Sequence, residues 1–294
     1  MAQLLSGKVV AEAMDEKLSK EIEELKAKGI TPTLNIVIVG DAGPSMAYTN
    51  GAKKTCEKIG MGFELKQYPE DMTQDDFLKE LHKLNDDKNV HGILIMRPMP
   101  PQMNEDVIKY EISPEKDVDC FNPINAGKLM FEDPTCFAPC TPTAVMEMID
   151  HFNIETKGKN VVVLGRSMVV GKPAAILAVG KGKDATVTIC HSKTKDLDKV
   201  CASADVLIAA VGRGKMVKGS WVKPGAAILD VGINFVDGKM CGDVDFDEAE
   251  PVAGAISPVP GGVGSVTTRV LAKHVVKAAK QLNNICTCGC GCSK

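Results

Sequence analysis

Apolar side chains recur at helical spacing near the start of the chain and then gather in short runs between helical segments. Val10, Met14, Leu18, Ile22 and Leu25 predict an amphipathic first helix. Three short apolar runs follow and predict buried β-strands at residues 34–39, 63–67 and 92–96. The helical segments between these runs predict a strand-helix-strand arrangement.

A second group of strand-like runs follows the proline-containing stretch 134–142 and begins at Val161, Thr186, Val206 and Ala227. Nearly continuous apolar strands are buried on both faces, which indicates parallel sheets covered by helices. We therefore expect an α/β protein with two domains, residues 1–140 and residues 141–267. A last amphipathic helix is expected to pack back on the first domain within residues 268–285, before a cysteine-rich tail at residues 286–294.

Charge and composition narrow the class of partner. The 294 residues include 35 Lys and Arg against 38 Asp and Glu, so no basic surplus favours nucleic acid or an anionic membrane. The apolar runs are too short to span a bilayer, and the charged first helix does not resemble a secretory signal. We expect a cytoplasmic protein that binds small molecules. Seven of the 11 cysteines are scattered along the chain and are expected to be reduced thiols.

A glycine turn after the first strand of the second group indicates a dinucleotide site. Gly165 follows the strand, and Gly171 begins a helical stretch, so the backbone and its free amides can approach a pyrophosphate. Ser167 stands where the GxGxxG pattern has its second glycine. The alternative is therefore that these glycines only form a turn.

The end of the following strand bears on the choice of cofactor. An NAD site usually places a carboxylate there to bind the ribose hydroxyl, and this chain has none in residues 190–194. Arg166, Ser192 and Lys193 offer the charge and donors that a 2′-phosphate requires, so NADP is favoured and NAD is the alternative. Otherwise Arg166 and Lys193 are solvated charges, and His191 is a capping or packing residue.

Nine short strings, in order and spanning nearly the whole chain, together resemble one enzyme family. They are PSMAY from Pro44, PEKDVD from Pro114, INAGKL from Ile124, PCTP from Pro139, GRSMVVGKP from Gly165, CHSKT from Cys190, DVGIN from Asp230, GDVDF from Gly242 and PVPGGVG from Pro258. The resemblance is to the methylenetetrahydrofolate dehydrogenase/cyclohydrolase family. Its members oxidise 5,10-methylenetetrahydrofolate with NADP and hydrolyse the methenyl product to 10-formyltetrahydrofolate.

This resemblance implies a homodimer whose amino-terminal folate-binding domain and Rossmann-type domain flank a central cleft. By resemblance, Tyr48 stacks on the folate and Asp119 holds the pterin, and these two are the expected catalytic residues. A loop that closes over the folate is expected from Pro260, Gly261, Gly262 and Val263. The expected cofactor-binding residues are Gly165, Arg166, Ser167, Gly171, Ser192, Lys193 and Ile233. Taken singly, Tyr48 is better explained as a packed aromatic, Asp117 and Asp119 as turn-forming residues, and the glycine loop as a simple turn; taken together in family order, the functional interpretation is preferred.

Two positions depart from the family pattern. The family has a general acid/base lysine four residues after the tyrosine, and this chain has Ala52. Lys53 lies about 100° further around a helix and leaves the face of the tyrosine. The family also has a glutamine that orients the lysine, and this chain has Met96 there. Arg97 follows on a strand, where successive side chains point to opposite faces.

The two half-reactions respond differently to these departures. Transfer of a hydride from the methylene carbon to nicotinamide needs positioned rings and no separate acid or base. Hydrolysis of the methenyl cation needs proton transfers, for which a positioned side chain typically contributes about 100- to 10,000-fold. The sequence therefore predicts that dehydrogenase activity is kept and that cyclohydrolase activity is weak or absent.

Alternatives remain open at this point. Lys53 or Arg97 can be recruited by a local backbone adjustment, which would leave the enzyme fully bifunctional. A non-catalytic folate-binding paralogue and a Rossmann dehydrogenase acting on another substrate are the two rival functions. No metal site is expected in the two domains. Cys286, Cys288, Cys290 and Cys292 predict a redox-sensitive tail, with metal binding as the alternative.

Overall fold

The computed structural model describes residues 2–40 and 43–285, and the chain divides into two compact units. The six-stranded unit contains the chain up to Glu12 together with Pro139–Thr267. The three-stranded unit contains Ala13–Ala138 together with the chain from Thr268 onward. The segment 286–294 lies outside the described residues, so the role of its cysteines stays a prediction.

The strands follow the apolar runs closely. In chain order they are β1 Gln3–Leu4, β2 Thr33–Val39, β3 Gly62–Tyr68, β4 Gly92–Ile95, β5 Asn160–Leu164, β6 Thr186–Cys190, β7 Val206–Ala209, β8 Ala227–Asp230, β9 Asn234–Val236, β10 Lys239–Cys241 and β11 Ala255–Ile256.

The helices lie between these strands. They are α1 Gly7–Lys26, α2 Gly43–Ile59, α3 Gln74–Asp86, α4 Glu105–Glu111, α5 Pro123–Met130, α6 Cys140–His151, α7 Gly171–Val179, α8 Leu197–Ala202, α9 Phe246–Ala249 and α10 Gly264–Leu282, with a 3-10 turn at Gly219–Trp221. Within the described ranges, no helix combines the length and the apolar character needed to cross a bilayer.

Both main sheets are parallel, which confirms the predicted α/β class. The order is β3-β2-β4 in one unit and β1-β11-β8-β7-β5-β6 in the other, and every neighbouring pair in both sheets runs parallel. Helices bury the sheet faces as the amphipathic patterns require. In α3, for example, the Thr73 hydroxyl accepts from the Asp76 amide and caps the helix, while Phe77 and Leu81 pack into the core.

The first residues of the chain, up to Glu12, belong to the six-stranded unit and not to the domain in which the sequence predicted them. The expected first domain began at residue 1, whereas β1 pairs with β11 in the sheet of the other unit. Each of these strands has only two residues, too few for any periodicity to show. The antiparallel hairpin of β9 and β10 was also missed, because its strands have three residues each.

His274 on α10 is buried inside the three-stranded unit. Its Nδ1 lies 2.9 Å from the Val118 carbonyl oxygen, and its ring packs edge-on against Phe137 at 5.7 Å. Burial is the main reason that the pKa of His274 falls to about 4 from 6.5. Between these two values the unfolded chain binds the proton and the folded chain does not, so stability is lost as the pH falls through this window.

The variant His274→Asn is expected to be less sensitive to acid than the native protein. Asparagine keeps a donor near the Val118 oxygen but cannot be protonated. Relative to the variant, the native protein is expected to lose about 3 kcal/mol of unfolding free energy between pH 7 and pH 4. Urea unfolding at several pH values measures this difference directly. Parallel pH profiles for the two proteins would show that His274 is not the titrating group.

Candidate functional site

Tyr48 and Ala52 lie one turn apart on α2, as the spacing predicted. Tyr48 is half-buried, and Ala52 is only 1% exposed. The next residue, Lys53, turns outward: its side chain is 55% exposed, and its Nζ lies 3.9 Å from the Glu57 carboxylate. Lys53 therefore points into solvent from another face of α2, and its charge already has a partner one turn along the helix.

Met96 and Arg97 follow the carboxyl end of β4. The Met96 amide donates to the Val37 carbonyl at 2.9 Å, which continues the strand pairing by one residue. The Arg97 guanidinium lies over the Phe121 ring, 4.6 Å from its centroid. A cation held on an aromatic face is partly desolvated and restrained. Arg97 is thus held in contact with Phe121, which lies two positions after Asp119.

The two aspartates of the PEKDVD string have different environments. Asp117 is buried, and its carboxylate accepts from the amides of Phe121 and Asn122 and from Asn125 Nδ2. Burial raises the pKa of Asp117 to about 6. Asp119 is half-exposed, and the chain turns after it through Cys120, which has φ 61°. The geometry makes Asp117 the residue that forms the turn and leaves Asp119 at the surface of the unit.

Lys116 is poorly placed to take the acid/base role that the family resemblance leads us to expect at residue 52. It is buried, and its Nζ donates to the carbonyls of Leu84 and Asp87. Burial lowers the pKa of Lys116, yet both contacts are to backbone oxygens that tie α3 to the following loop. Its role is to hold these two segments together.

The glycine turn in the six-stranded unit is closed by backbone contacts. Gly165 has φ 137°, and a Cβ there would lie 2.2 Å from the Ala210 carbonyl oxygen. A Cβ on Gly171 would lie 2.2 Å from the Gly165 carbonyl oxygen and 2.8 Å from the Arg166 amide nitrogen. Neither position has room for a side chain, because the obstructing atoms belong to the backbone. Both glycines are therefore required by the turn itself.

The expected role of the helix start needs a correction. The Ser167 hydroxyl accepts from the amides of Val170 and Gly171 at 3.1 and 3.4 Å, and the Lys172 amide donates to the Ser167 carbonyl. The amides at the start of α7 therefore already donate to acceptors within the protein and are not free to bind an anion. Ser167, which stands at the position of the second glycine of the pattern, thus supplies an acceptor to the turn that precedes the helix. A phosphate would meet the exposed residues that precede Val170.

Arg166 and His191 lie together beside this turn. Arg166 Nη1 is 3.3 Å from His191 Nε2, and the Lys193 amide donates to His191 Nδ1 at 3.1 Å. A neutral imidazole that accepts at Nδ1 carries its proton on Nε2. The two side chains lie within hydrogen-bond distance of each other, and an imidazole whose Nδ1 accepts from Lys193 turns an Nε2–H toward Arg166. Ser192 and Lys193 are exposed next to them, and the sequence had given His191 only a capping or packing role.

The remaining expected residues lie in the six-stranded unit. Ile233 is 64% exposed after β8. In the loop 258–263, Pro260 and Gly261 are exposed, whereas Gly262 and Val263 are buried. The Gly261 carbonyl accepts from the Gly7 amide at 2.8 Å. Only the tip of this loop is thus available to a ligand, and its base is fixed to the chain entry.

The structure gathers the predicted residues into two groups. Tyr48 and Asp119 belong to the three-stranded unit. The six-stranded unit holds all of the expected cofactor residues together with the loop 260–263. The seven described cysteines are free thiols, in agreement with the sequence expectation.

Comparison with known proteins identifies two family domains that meet near the same point of the chain, although the structure places residues 5–12 and 268–283 in the opposite unit. Residues 5–119 match the catalytic domain, and residues 139–283 the NAD(P)-binding domain, of the tetrahydrofolate dehydrogenase/cyclohydrolase family. The bifunctional protein FolD of Alkaliphilus oremlandii is 54% identical over 97% of this chain and 100% of its own length.

Solved structures are similar over the same span. The bifunctional FolD enzyme of Campylobacter jejuni has 39% identity and a TM-score of 0.92, covering 96% of this chain and 99% of its own. The Trypanosoma brucei FolD, solved with NADP cofactor and an inhibitor, has 35% identity and a TM-score of 0.89, covering 95% and 98% of the two chains.

Proposed function

Because the chain belongs to the tetrahydrofolate dehydrogenase/cyclohydrolase family, we propose that it oxidises 5,10-methylenetetrahydrofolate to 5,10-methenyltetrahydrofolate with NADP. The observation that carries the proposal is the glycine turn closed at Gly165 and Gly171, with the donors of Arg166 and His191 beside it. A paralogue that had lost its cofactor would have no need to keep a turn in which neither position admits a side chain.

The residues present fit NADP. Arg166 Nη1 and His191 Nε2 lie 3.3 Å apart, and a phosphate oxygen is a group that the guanidinium and an Nε2–H can both bind. Ser192 and Lys193 add a hydroxyl and a second cation at the same surface. NAD, which lacks the 2′-phosphate, offers neither side chain this contact. NADP is therefore the favoured cofactor and NAD the weaker one.

Each group of residues has a task in the dehydrogenase step. NADP, when bound, supplies the acceptor for the two electrons and one proton that leave the methylene carbon. We assign Tyr48 to stacking on the folate, Asp119 to holding the pterin, and the exposed Pro260 and Gly261 to covering it. We assign Ile233, which is exposed, to the nicotinamide end of the cofactor site. These residues position rings and transfer no proton, so the step does not require the missing lysine.

We further propose that cyclohydrolase activity is weak or absent. Attack by water on the methenyl carbon releases a proton, and cleavage of a carbon-nitrogen bond requires a proton on nitrogen. Ala52 has no ionisable group, and Met96 cannot orient one by hydrogen bonding. The recruited alternatives are poorly placed: Lys53 is exposed and paired with Glu57, and Arg97 lies on Phe121.

The decisive experiment measures both reactions on the purified full-length protein. Mixing it with methylenetetrahydrofolate and NADP is expected to produce methenyl absorbance at a rate proportional to enzyme. A protein that binds folate but gives no methenyl product with either nucleotide would be the non-catalytic paralogue. Turnover of an unrelated hydroxy acid without folate turnover would identify the other rival.

His191 offers a test of the cofactor assignment. His191→Asn keeps an acceptor near the Lys193 amide but loses the Nε2 donor, whereas His191→Gln places a donor near the Nε2 position. We expect the asparagine variant to raise the KM for NADP about tenfold, as the loss of a charge-assisted contact predicts, and to leave the KM for NAD unchanged. The glutamine variant should keep most of the NADP preference. Equal changes for both nucleotides would assign His191 a packing role only.

Two further properties stay proposals. A homodimer is implied by resemblance and is supported by exposed apolar side chains on the hairpin of β9 and β10, namely Phe235, Val236 and Met240. Sedimentation of the native protein and of Phe235→Asp would test whether this hairpin forms the interface. A cytoplasmic location is proposed from the sequence.

A further inference from the structure

Asp243 is a buried carboxylate to which the sequence analysis assigned no role. It is 0% exposed, and it accepts four hydrogen bonds. Oδ2 accepts from the amides of Val211 and Gly212 at 2.6 and 3.0 Å, and Oδ1 accepts from the Arg213 amide and from Asn234 Nδ2 at 2.8 and 2.9 Å. Three consecutive amides on a single carboxylate fix the direction of the whole loop after β7.

A second buried carboxylate holds Asp243 itself. Asp230, at the end of β8, accepts from the Gly232, Asp243 and Val244 amides at 2.9, 3.0 and 2.9 Å. The packing around the pair is tight, because a Cβ on Gly232 would lie 2.4 Å from the Asp243 carboxylate. Asp230 therefore holds the backbone of Asp243, and the Asp243 side chain in turn holds the loop after β7.

The loop after β7 borders the expected cofactor position. The strand order places β6 and β7 on opposite sides of β5, and ligands of open α/β sheets bind beyond the carboxyl ends of the strands at such a switch point. The Ala210 amide donates to the Leu164 carbonyl at 2.8 Å, and the Ala210 carbonyl oxygen is the atom that excludes a Cβ from Gly165. The glycine turn and the loop held by Asp243 are therefore in direct contact.

We infer that Asp243 is a positioning residue for the nicotinamide end of the cofactor. It acts by holding residues 211–213 and Asn234, the neighbour of Ile233, in one fixed arrangement. The inference rests on the proposed function, since it concerns the placement of the same nucleotide. It adds a residue that touches neither cofactor nor substrate and acts through the backbone of two loops.

The chemistry of the side chain explains why a carboxylate is needed. An ionised carboxylate only accepts hydrogen bonds and offers two oxygens, which matches four donors. An asparagine of the same size would replace one acceptor oxygen with an NH2 group, which cannot accept a hydrogen bond from the N–H donors. Some of these buried amides would then be unsatisfied, and the loop is expected to move to recover partners. A displacement of about 1 Å at a reacting centre can cost about 100-fold in rate.

The experiment compares native protein with Asp243→Asn in full-length form. We expect the KM and the directly titrated Kd for NADP to rise at least tenfold and kcat to fall about 10- to 100-fold. The KM for folate should stay within twofold. Methylene-deuterated folate should give a larger isotope effect on kcat in the variant, because a misplaced ring makes the chemical step rate-limiting.

Two further variants serve as a milder substitution in the same network and as a control. Asn234→Ala removes one of the four donors and leaves the three amides, so it should fold and should raise the KM for NADP about threefold. Asp205→Asn is the matched control: Asp205 also accepts a backbone amide, from Asn160, but lies at the amino ends of the strands. It should change neither KM nor kcat.

The outcomes separate this inference from the proposed function. If native protein does not oxidise methylenetetrahydrofolate, the proposed function fails, while the NADP titration still measures the effect of Asp243. If native protein is active and folded Asp243→Asn keeps its NADP affinity, kcat and isotope effect, the inference is overturned. Equal effects in Asp205→Asn would overturn it as well. Should Asp243→Asn not fold, an unchanged KM for NADP in Asn234→Ala would do the same.

Discussion

Ala52→Lys combined with Met96→Gln is expected to raise enzyme-dependent hydrolysis of methenyltetrahydrofolate by at least 100-fold over the native protein. The lysine restores an amine on the helical face of Tyr48, and the glutamine restores a partner that orients it. A positioned acid/base contributes about 100- to 10,000-fold to such a step, and the native chain has no such group at residue 52. The rate of loss of methenyl absorbance, corrected for spontaneous hydrolysis, measures the effect.

A double variant without the amine isolates the proton-transfer group. Ala52→Met with Met96→Gln matches the length of the new side chain but cannot exchange a proton, so its hydrolysis rate should stay at the native level. Because Ala52 is buried, the folate KM of the dehydrogenase reaction must be measured in both double variants to show that the site tolerates the added volume.

The native protein itself can contradict this account. Robust hydrolysis by native enzyme that disappears in Arg97→Leu would show that the arginine on Phe121 is recruited. The same loss in Lys53→Gln would implicate the lysine instead. Either result would make the enzyme fully bifunctional by a route that avoids residue 52.

Gly171→Ala is expected to reduce NADP affinity about 100-fold or more. A methyl group there would lie 2.2 Å from the Gly165 carbonyl oxygen and 2.5 Å from its carbon. Backbone atoms cannot rotate out of the way, so the turn must open and shift the phosphate-binding residues by about 1 Å. Titration with NADPH, followed by its fluorescence, measures the loss. Folate binding should change little, since Tyr48 and Asp119 belong to the other unit and the atoms nearest to the added methyl do not belong to the loop 260–263.

Gly127→Ala is the control for this substitution. Gly127 lies within α5, and a Cβ there would have no atom within 4 Å. The change should leave nucleotide affinity intact and add up to about 1 kcal/mol of stability, because alanine favours a helix more than glycine does. Native affinity in Gly171→Ala would show that the glycine turn does not hold the pyrophosphate.

The division between the two half-reactions has a physical basis in this chain. Hydride transfer depends on the placement of two rings, and the groups assigned to that placement are intact. Hydrolysis depends on a proton donor and acceptor at one site, and the two residues that would supply it are an alanine and a methionine. Loss of one activity therefore need not weaken the other.

The sequence by itself determined the parallel sheets and the glycine turn, and it shows Ala52 and Met96, the two residues on which the predicted departure from the family pattern rests. These features are local: an apolar run, a glycine spacing or a residue type is readable within a few positions. The pairing of β1 with β11 was not predicted, because strands of two residues are too short to show a periodicity. The amphipathic first helix and the last helix were readable because their buried faces repeat over five turns.

Only the tertiary structure decided which polar residues hold the site and which remain available to it. Asp117 and Asp119 are two positions apart, yet the Asp117 carboxylate accepts three hydrogen bonds whereas Asp119 is half-exposed. The Ser167 hydroxyl accepts from the Val170 amide, His191 lies within hydrogen-bond distance of Arg166, and Asp243 accepts from the Arg213 amide 30 residues earlier in the chain. Such hydrogen bonds depend on which segments the fold brings together, and that information has no signature in the spacing along the chain.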